Sequence, residues 1–391
     1  MYKHIRLLFL FLFPFTLFGQ NAIDSILVQI EKNNTTLSAL RKQVEVQKLE
    51  NKIGIYLKNP EFEFNYLWGR PSAIGNRTDI SIKQAFDFPT VYGYKNQISD
   101  LRNQQVDLEY QKQFKALMLE TRLICIELIY TNALKVVHSK RINHAQSIAT
   151  SYKAKFDKGE ANIIEFNKSQ INFLNIKKEA LLNDIEQKSL LEVLIRLNGN
   201  MPIVLNVAIF QTKEIPIDFE QWYKQVEQNN PILSWLKQEI EISRKQEKLN
   251  SANGLPKFSA GYMSEKVVGQ QFQGFSAGIS IPLWENKNAV KQAKLQTLAL
   301  QNIEADNRLE FYNLLRMNHA KAINLQKLIR DYRTSLQIYD NSELLKKAFD
   351  KGEISLTDYI LELTIYYNSI DNLLQTEREM NKAIVQLNVY E

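Results

Sequence analysis

The sequence has few residues that break or bend a chain. It contains 13 glycines and 9 prolines in 391 residues, about half of their average share in proteins. A many-stranded sandwich or a compact α/β enzyme needs more turn-forming residues, so both are excluded. Segments 95–158, 160–198, 283–351 and 353–391 contain no glycine or proline. We therefore predict very long helices over most of the chain, of the kind found in coiled coils and bundles.

Residues that usually carry chemistry are scarce as well. Cys125 is the only cysteine, so it cannot form an internal disulfide, and its apolar neighbours predict a buried residue. Beyond the first few residues the histidines are His138, His144 and His319, none at metal-ligand spacing from another ligand. The sequence has no phosphate-binding loop and no nucleophile elbow. We predict no catalytic, cofactor-binding or metal site, and expect a protein that is not an enzyme and needs no cofactor.

The charged residues do not point to nucleic acid as a partner. The formal net charge is +6 at pH 7, spread along the chain without a basic cluster. Nucleic-acid-binding proteins concentrate such charge on one face or along one helix. We therefore expect no nucleic acid among the partners.

The first 19 residues have the pattern of an export signal. Lys3, His4 and Arg6 precede the apolar run Leu7–Phe18, and Gly19 is a small residue at the expected cleavage site. This run is too short to span a bilayer as a helix. We predict a secretory signal peptide over residues 1–19.

The two halves of the sequence share landmarks in the same order. Asn33–Leu40 is similar to Asn229–Leu236, and Phe156–Glu160 recurs unchanged as Phe349–Glu353. Landmarks in register predict a tandem repeat, here helix, two strands, very long helix, tight turn and helix. The predicted divisions are a first repeat at 20–200, a linker at 201–216 and a second repeat at 217–391.

Four segments alternate between apolar and polar residues and are predicted strands, at about 60–69, 78–88, 256–265 and 273–282. Alternation over about ten residues with many aromatics is typical of membrane barrel strands, although a half-buried soluble hairpin has the same period. Four strands cannot close a barrel, so the membrane alternative requires several chains. The first pair has one face with Phe62, Phe64, Tyr66, Trp68, Ile80 and Ile82, and another with Glu63, Asn65, Ser81 and Lys83.

Gly159 and Gly352 each separate two helical segments. Glycine supplies the positive φ of the turn that ends a helix, so each is predicted to be the tip of a helical hairpin. An acid follows six residues later, Glu165 and Asp358. Two interpretations stay open for these acids. They lie on a solvated helix face, or they face the axis of a pore in a symmetric oligomer and bind cations.

Together these features resemble the TolC family of outer-membrane efflux proteins. The resemblance rests on the two repeats, on Asn229–Leu233 at the start of the second, on Ser280–Trp284 between strand and helix, and on the tips, with Phe349–Glu353 followed by Asp358. Gly278–Trp284 is similar to the heavy-metal-efflux branch of that family, CzcC and CusC.

The resemblance implies a fold that is mainly α with membrane β: a trimeric 12-stranded barrel and a long α-helical coiled-coil tunnel. It implies an exit duct in the bacterial outer membrane, with the tunnel in the periplasm. The duct would serve a resistance-nodulation-division type efflux system or type I secretion. Its partners would be a periplasmic adaptor, an inner-membrane pump and outer-membrane lipid. The alternative is a periplasmic coiled-coil scaffold or adaptor without a pore, and the cargo is open among metal ions, drugs and secreted protein.

The resemblance also implies three sets of functional residues. The pore gate would consist of Asp358 and Glu362. The apolar face of the first strand pair would contact lipid. The hairpin tips that dock the adaptor would be Lys158, Gly159, Glu160, Lys351, Gly352 and Glu353.

Overall fold

The computed structural model describes residues 18–211 and 214–390, with side chains from residue 22 onward. Most of the predicted signal peptide, residues 1–19, lies outside the described residues. The elements follow one another in an order that occurs twice, helices, two strands and long helices. They are α1 (Phe18–Asn33), α2 (Thr35–Glu50), β1 (Glu61–Leu67), β2 (Arg77–Phe86), α3 (Pro89–Asp157), α4 (Ile163–Leu197), α5 (Phe219–Gln228), α6 (Pro231–Ala252), β3 (Lys257–Val267), β4 (Gln270–Ser280), α7 (Ala289–Ile338), α8 (Ser342–Asp350) and α9 (Leu356–Leu387).

Long helices dominate the fold, which confirms that the chain is mainly helical. The helix α3 continues for 69 residues without interruption, and α4 for 35 residues. Pro89 stands at the start of α3, where its missing N–H leaves no helical hydrogen bond unmade. No helix in the described part of the chain has both the length and the apolar character needed to cross a membrane.

The second long helix is interrupted, so the prediction of one very long helix over 283–351 is wrong. The helix α7 ends at Ile338 and α8 begins at Ser342, although no glycine or proline stands between them. The Ser342 amide instead donates to Asp340 Oδ1 at 3.1 Å. A short polar side chain that bonds the nearby backbone competes with the helix. A segment without glycine or proline is therefore not necessarily one continuous helix.

The chain divides into two compact units, each of which combines segments from both halves of the sequence. The first unit contains the described residues up to Thr35, together with Leu117–Ile217 and Arg316–Val389. The second contains Thr36–Ala116 and Asp218–Leu315, with the C-terminal end. The long helices α3 and α7 contribute residues to both units.

The core of the first unit joins α3 to the helices α8 and α9. Its buried cluster consists of Ile148, Tyr152, Leu356, Tyr359 and Leu363. The rings of Phe349 and Tyr359 stack with centroids 4.4 Å apart. Both helical hairpins therefore share one apolar core beside the tips.

The described part of the predicted linker, residues 201–211 and 214–216, belongs to the same unit and is held against α3 through its first residues. Asn132 Nδ2 donates to the carbonyl oxygens of Leu205 at 2.8 Å and of Val207 at 2.9 Å. Ile203, Leu205 and Phe210 are buried. A buried loop needs partners for its backbone polar groups, and Asn132 provides two of the bonds.

The second unit contains the sheet and a core between α3 and α6. The core cluster consists of Val91, Ile98, Ile242, Leu249 and Ala252. The sheet is antiparallel, in the order β1-β2-β3-β4. Its strands occupy the segments in which the alternation predicts them. Within the described residues, the outer edges of β1 and β4 have no strand partner.

Candidate pore, membrane face and docking tips

The strand register places the predicted lipid-contact residues on one face of the sheet. Phe62 pairs with Ile82 and Phe64 with Ile80, and Ile82 pairs in turn with Tyr262. Directly paired residues share a face because side chains alternate along each strand. Trp68, just after β1, contacts Tyr66 edge to face at 5.8 Å. This face is exposed, with Phe62 67%, Phe64 56% and Trp68 79% accessible.

The opposite face of the β1–β2 pair is polar. Glu63 pairs with Ser81, and Asn65 with Asp79. Ion pairs continue across this face toward β3, where Arg77 lies 3.2 Å from Glu265. This strand pair is not part of a buried core, because its apolar face and its polar face are both exposed in the single chain. It fits a boundary between two solvents of opposite polarity.

The two predicted tips have the same backbone geometry. Gly159 has φ +76° and Gly352 has φ +74°. The residue after each glycine closes the helix end: the Glu160 amide donates to the Lys155 carbonyl at 2.7 Å, and the Glu353 amide to the Ala348 carbonyl at 2.8 Å. This bond, from the residue after the left-handed one, is the Schellman motif. Both tips are thus the same helix-ending turn.

The tip charges are exposed and weakly engaged. Lys351 lies 3.9 Å from Glu353 in its own tip, with 71% and 61% of the side chains accessible. Beside the tips, Lys168 Nζ donates to the Thr357 hydroxyl at 2.7 Å and links α4 to α9. The structure thus leaves the charged groups of the tips available to a partner, because exposed pairs contribute little to stability.

The acids after the tips take part in helix capping. The Glu165 amide donates to Asn162 Oδ1 at 2.9 Å, and the Asn162 amide donates to Glu165 Oε2 at 3.2 Å. In the second hairpin the Asp358 amide donates to the Ser355 hydroxyl. Such reciprocal bonds satisfy free N–H groups at the start of a helix. Both acids therefore have a structural role, which the sequence interpretation missed although Asn162 and Ser355 stand at capping spacing.

Glu362 lies one helical turn after Asp358 on α9, as expected for two residues four apart. Its side chain lines a groove between α7, α8 and α9. Asp331 of α7 lines the same groove.

An ion pair between a buried arginine and a partly exposed aspartate joins the two hairpins of the first unit, and sequence reasoning missed it. Arg141 is 5% accessible and its Nη2 atom lies 2.5 Å from Asp371 Oδ1. The same nitrogen donates to the Tyr367 carbonyl at 2.9 Å. The guanidinium also lies over the Tyr367 ring, 4.7 Å from its centroid. Nothing in the local sequence marks this contact, since the partners are 230 residues apart.

Two buried groups of α3 carry shifted pKa values. Burial lowers the pKa of His138, and the neighbouring Arg141 lowers it further. Burial raises the pKa of the Cys125 thiol to about 12, so this cysteine stays protonated and unreactive at neutral pH. Among the described residues, no three side chains of the kinds that bind metals come together.

The fold has counterparts among solved structures. The outer membrane channel CmeC of Campylobacter jejuni matches 94% of this chain and 85% of its own, with a TM-score of 0.80 and 14% identity. CusC, whose structures concern folding and transmembrane channel formation, matches 96% of this chain and 94% of its own, with a TM-score of 0.80 and 11% identity. The open-state channel MtrE of Neisseria gonorrhoeae matches 94% of this chain and 88% of its own, with a TM-score of 0.73 and 12% identity.

The sequence matches no family model, and no curated protein is similar to it. At these identities the solved structures show a shared fold. The fold expected from the resemblance to the TolC family is therefore confirmed in its mainly helical, strand-containing form. Barrel closure and the trimer stay predictions.

Proposed function

We propose that this protein is a TolC-family exit duct of the bacterial outer membrane, not an enzyme. The observation that carries the proposal is the four-stranded sheet. Its first strand pair has one apolar and one polar face, and its two outer edges are unpaired within the described residues, in a fold shared with outer-membrane channels. An unsatisfied strand edge is excluded from lipid, so the sheet must be completed by other chains.

The resemblance to the TolC family implies that three chains complete the sheet. Pairing β4 of one copy with β1 of the next gives a closed barrel with an even number of strands, 12, which falls in the range of bacterial barrels. The lipid side would carry Phe62, Phe64, Tyr66, Trp68, Ile80 and Ile82. The lumen side would carry Glu63, Asn65, Ser81 and Lys83.

The helical hairpins would form the periplasmic tunnel, with the tips directed to an adaptor and an inner-membrane pump. Exposed charges at Lys158, Glu160, Lys351 and Glu353 support docking by contacts that are easily exchanged. Asp358 and Glu362 would form the gate, because carboxylates that approach a pore axis attract cations. Metal ions, drugs and secreted protein are all compatible with a passive duct.

One fractionation tests this proposal. The full-length protein, expressed with its leader, should sediment with outer membranes, form a trimer after chemical cross-linking, and conduct single-channel currents in planar bilayers. Recovery in the soluble periplasmic fraction without channel activity would favour the alternative, a coiled-coil scaffold without a pore.

A further inference from the structure

A small cavity lies in the first unit, between α1, α3, the linker and the C-terminal end of α9. Its volume is about 70 Å³. All of its described lining residues belong to the first unit, and half of them are buried. The buried ones are Ile126, Ile129, Phe210, Asn381, Ile384 and Asn388.

Ion pairs between α3 and α9 fix the register in which the two helices meet at the cavity. Arg141 pairs with Asp371, and Glu127 pairs with Lys382. Residue numbers therefore fall along α3 as they rise along α9, and the two helices are antiparallel.

This register places two polar lining residues at the same end of the cavity. Arg122 stands five residues before Glu127 on α3. Asn388 stands six residues after Lys382, just beyond the end of α9. Equal steps along antiparallel helices bring Arg122 level with Asn388, and both line the cavity.

Neither of these two side chains has a partner among the described residues. Asn388 is only 8% accessible, yet its side-chain amide makes no hydrogen bond. Arg122 is half-buried and has neither a hydrogen bond nor an ion pair. Buried polar groups are normally hydrogen-bonded, and leaving one unpaired is costly. A ligand in the cavity that bonds to both groups would remove this cost.

Neither the end of α9 nor the repeat explains the arginine. The carbonyl end of a helix attracts a cation, but within the described part of the chain Arg122 donates no hydrogen bond to those carbonyl oxygens. The offset between the two tips, Gly159 and Gly352, pairs Arg122 with Leu315, which is 1% accessible. The first repeat therefore carries a guanidinium where the second carries a buried leucine.

The chemistry of the lining fits a small aliphatic carboxylate. A guanidinium binds a carboxylate through two parallel hydrogen bonds, and an asparagine amide can donate one more. Beside these donors the wall is apolar, with Ile126 and Ile384 2% accessible and Phe210 9%. A cavity of about 150 Å³ holds benzene, so about half that volume suits a branched group of about four carbons.

One carboxylate, Asp24, is among the described lining residues. It is exposed, where water and salt screen its charge. Arg122 is less exposed, so its charge is screened less, and it dominates the field in the cavity.

We propose that this cavity binds short branched-chain carboxylates, with the carboxylate held by Arg122 and Asn388 and the alkyl group against the isoleucines. The site lies within one chain and one unit. It does not depend on the passage of cargo through a pore.

The probes are 3-methylbutanoate and 2-methylpropylamine, which share an isobutyl group and carry opposite charges at neutral pH. Full-length protein in lipid nanodiscs would be titrated with each radiolabelled probe by equilibrium dialysis, with empty nanodiscs as the blank. Saturable binding of the carboxylate at one site per chain is expected, with no saturable binding of the amine. Equal binding of both probes, or no saturable binding of the carboxylate, would overturn the proposal.

Two variants locate the site, and each tests a different part of the argument. Arg122→Gln removes the charge and should weaken carboxylate binding at least tenfold. Val385→Phe keeps both polar groups but fills the cavity, and should abolish binding. Unchanged affinity in either variant would place the binding elsewhere and refute the cavity.

Two control variants test the charges. Arg102→Gln removes an exposed arginine of the same helix, about 30 Å away along its axis, and should leave the affinity unchanged. Asp24→Asn should not weaken carboxylate binding. Weaker binding in either control would show that Arg122 does not hold the ligand in the manner proposed.

A circular dichroism spectrum and melting curve for each variant would show that the helices are intact. Binding is measured without current, so a protein that binds the carboxylate but conducts nothing would refute only the duct.

Discussion

The Ser355 hydroxyl bonds both the backbone and the side chain of Asp358. It accepts from the Asp358 amide at 3.1 Å and donates to Asp358 Oδ2 at 2.6 Å. The carboxylate proposed for the gate therefore also fixes the first turn of α9. Experiments on Asp358 must therefore distinguish the loss of its charge from the loss of its capping bond, because losing a capping interaction alone costs about 1 kcal/mol.

The membrane face of β1 can be tested by introducing an arginine at either of two neighbouring residues. Phe64→Arg should destabilise the assembled barrel by about 2–4 kcal/mol if Phe64 lies near the bilayer midplane. Asn65→Arg should be tolerated, since Asn65 lies on the polar face opposite Asp79. The measurement is the amount of trimer in outer membranes. Equal tolerance at the two positions would show that β1 does not contact lipid.

The ion pair between Arg141 and Asp371 should stabilise the contact between the hairpins. Arg141→Ala removes the buried guanidinium and its bonds to Asp371 and to the Tyr367 carbonyl. Because Asp371 is partly exposed, the loss of stability should be smaller than the roughly 3 kcal/mol of a fully buried pair. Arg141→Met combined with Asp371→Leu removes both charges and should recover most of that loss. The midpoint of thermal unfolding reports both effects. A single variant no less stable than the double variant would contradict this role.

Acid should weaken the first unit through His138. Its pKa is lower in the folded protein than in the unfolded chain because of burial and of the nearby Arg141. The unfolded chain therefore binds more protons as the pH falls below about 6.5, and stability decreases over that range. His138→Gln should reduce the loss of thermal stability between pH 7.5 and 5.5. His138 faces Arg141, Asp371, Glu179 and Asp184.

The contribution of His138 is read from the thermal stability of the His138→Gln variant and of the parent protein at the two pH values. An identical pH dependence in the His138→Gln variant and the parent would show that His138 does not contribute.

The sequence predicts the features that depend on local chemistry. Positive φ at Gly159 and Gly352 follows from glycine at a helix end, and the two faces of β1 follow from alternation. The Arg141–Asp371 pair and the bonds from Asn132 could not be predicted, because they join segments distant in the chain. The break at Asp340 depends on one side chain that competes with the helix.

The gate carboxylate can be tested with three substitutions that divide its two roles. Asp358→Asn removes the charge and keeps an oxygen that can accept from Ser355. Ser355→Ala removes the capping partner and keeps the charge. If three copies of Asp358 approach the pore axis, Asp358→Asn and Asp358→Ala should both weaken block of single-channel current by multivalent cations, because the negative ring loses its charge. Ser355→Ala should preserve the block and lower the stability of α9 by about 1 kcal/mol.

Glu165 provides the control in the first hairpin, since it caps α4 as Asp358 caps α9. Glu165→Gln should leave cation block unchanged if only the second hairpin lines the mouth of the tunnel. Block that stays the same in Asp358→Asn would assign Asp358 to capping alone. Block weakened equally by Glu165→Gln would instead mean that both hairpins contribute carboxylates to the pore, and that the two capping acids act as one charged ring.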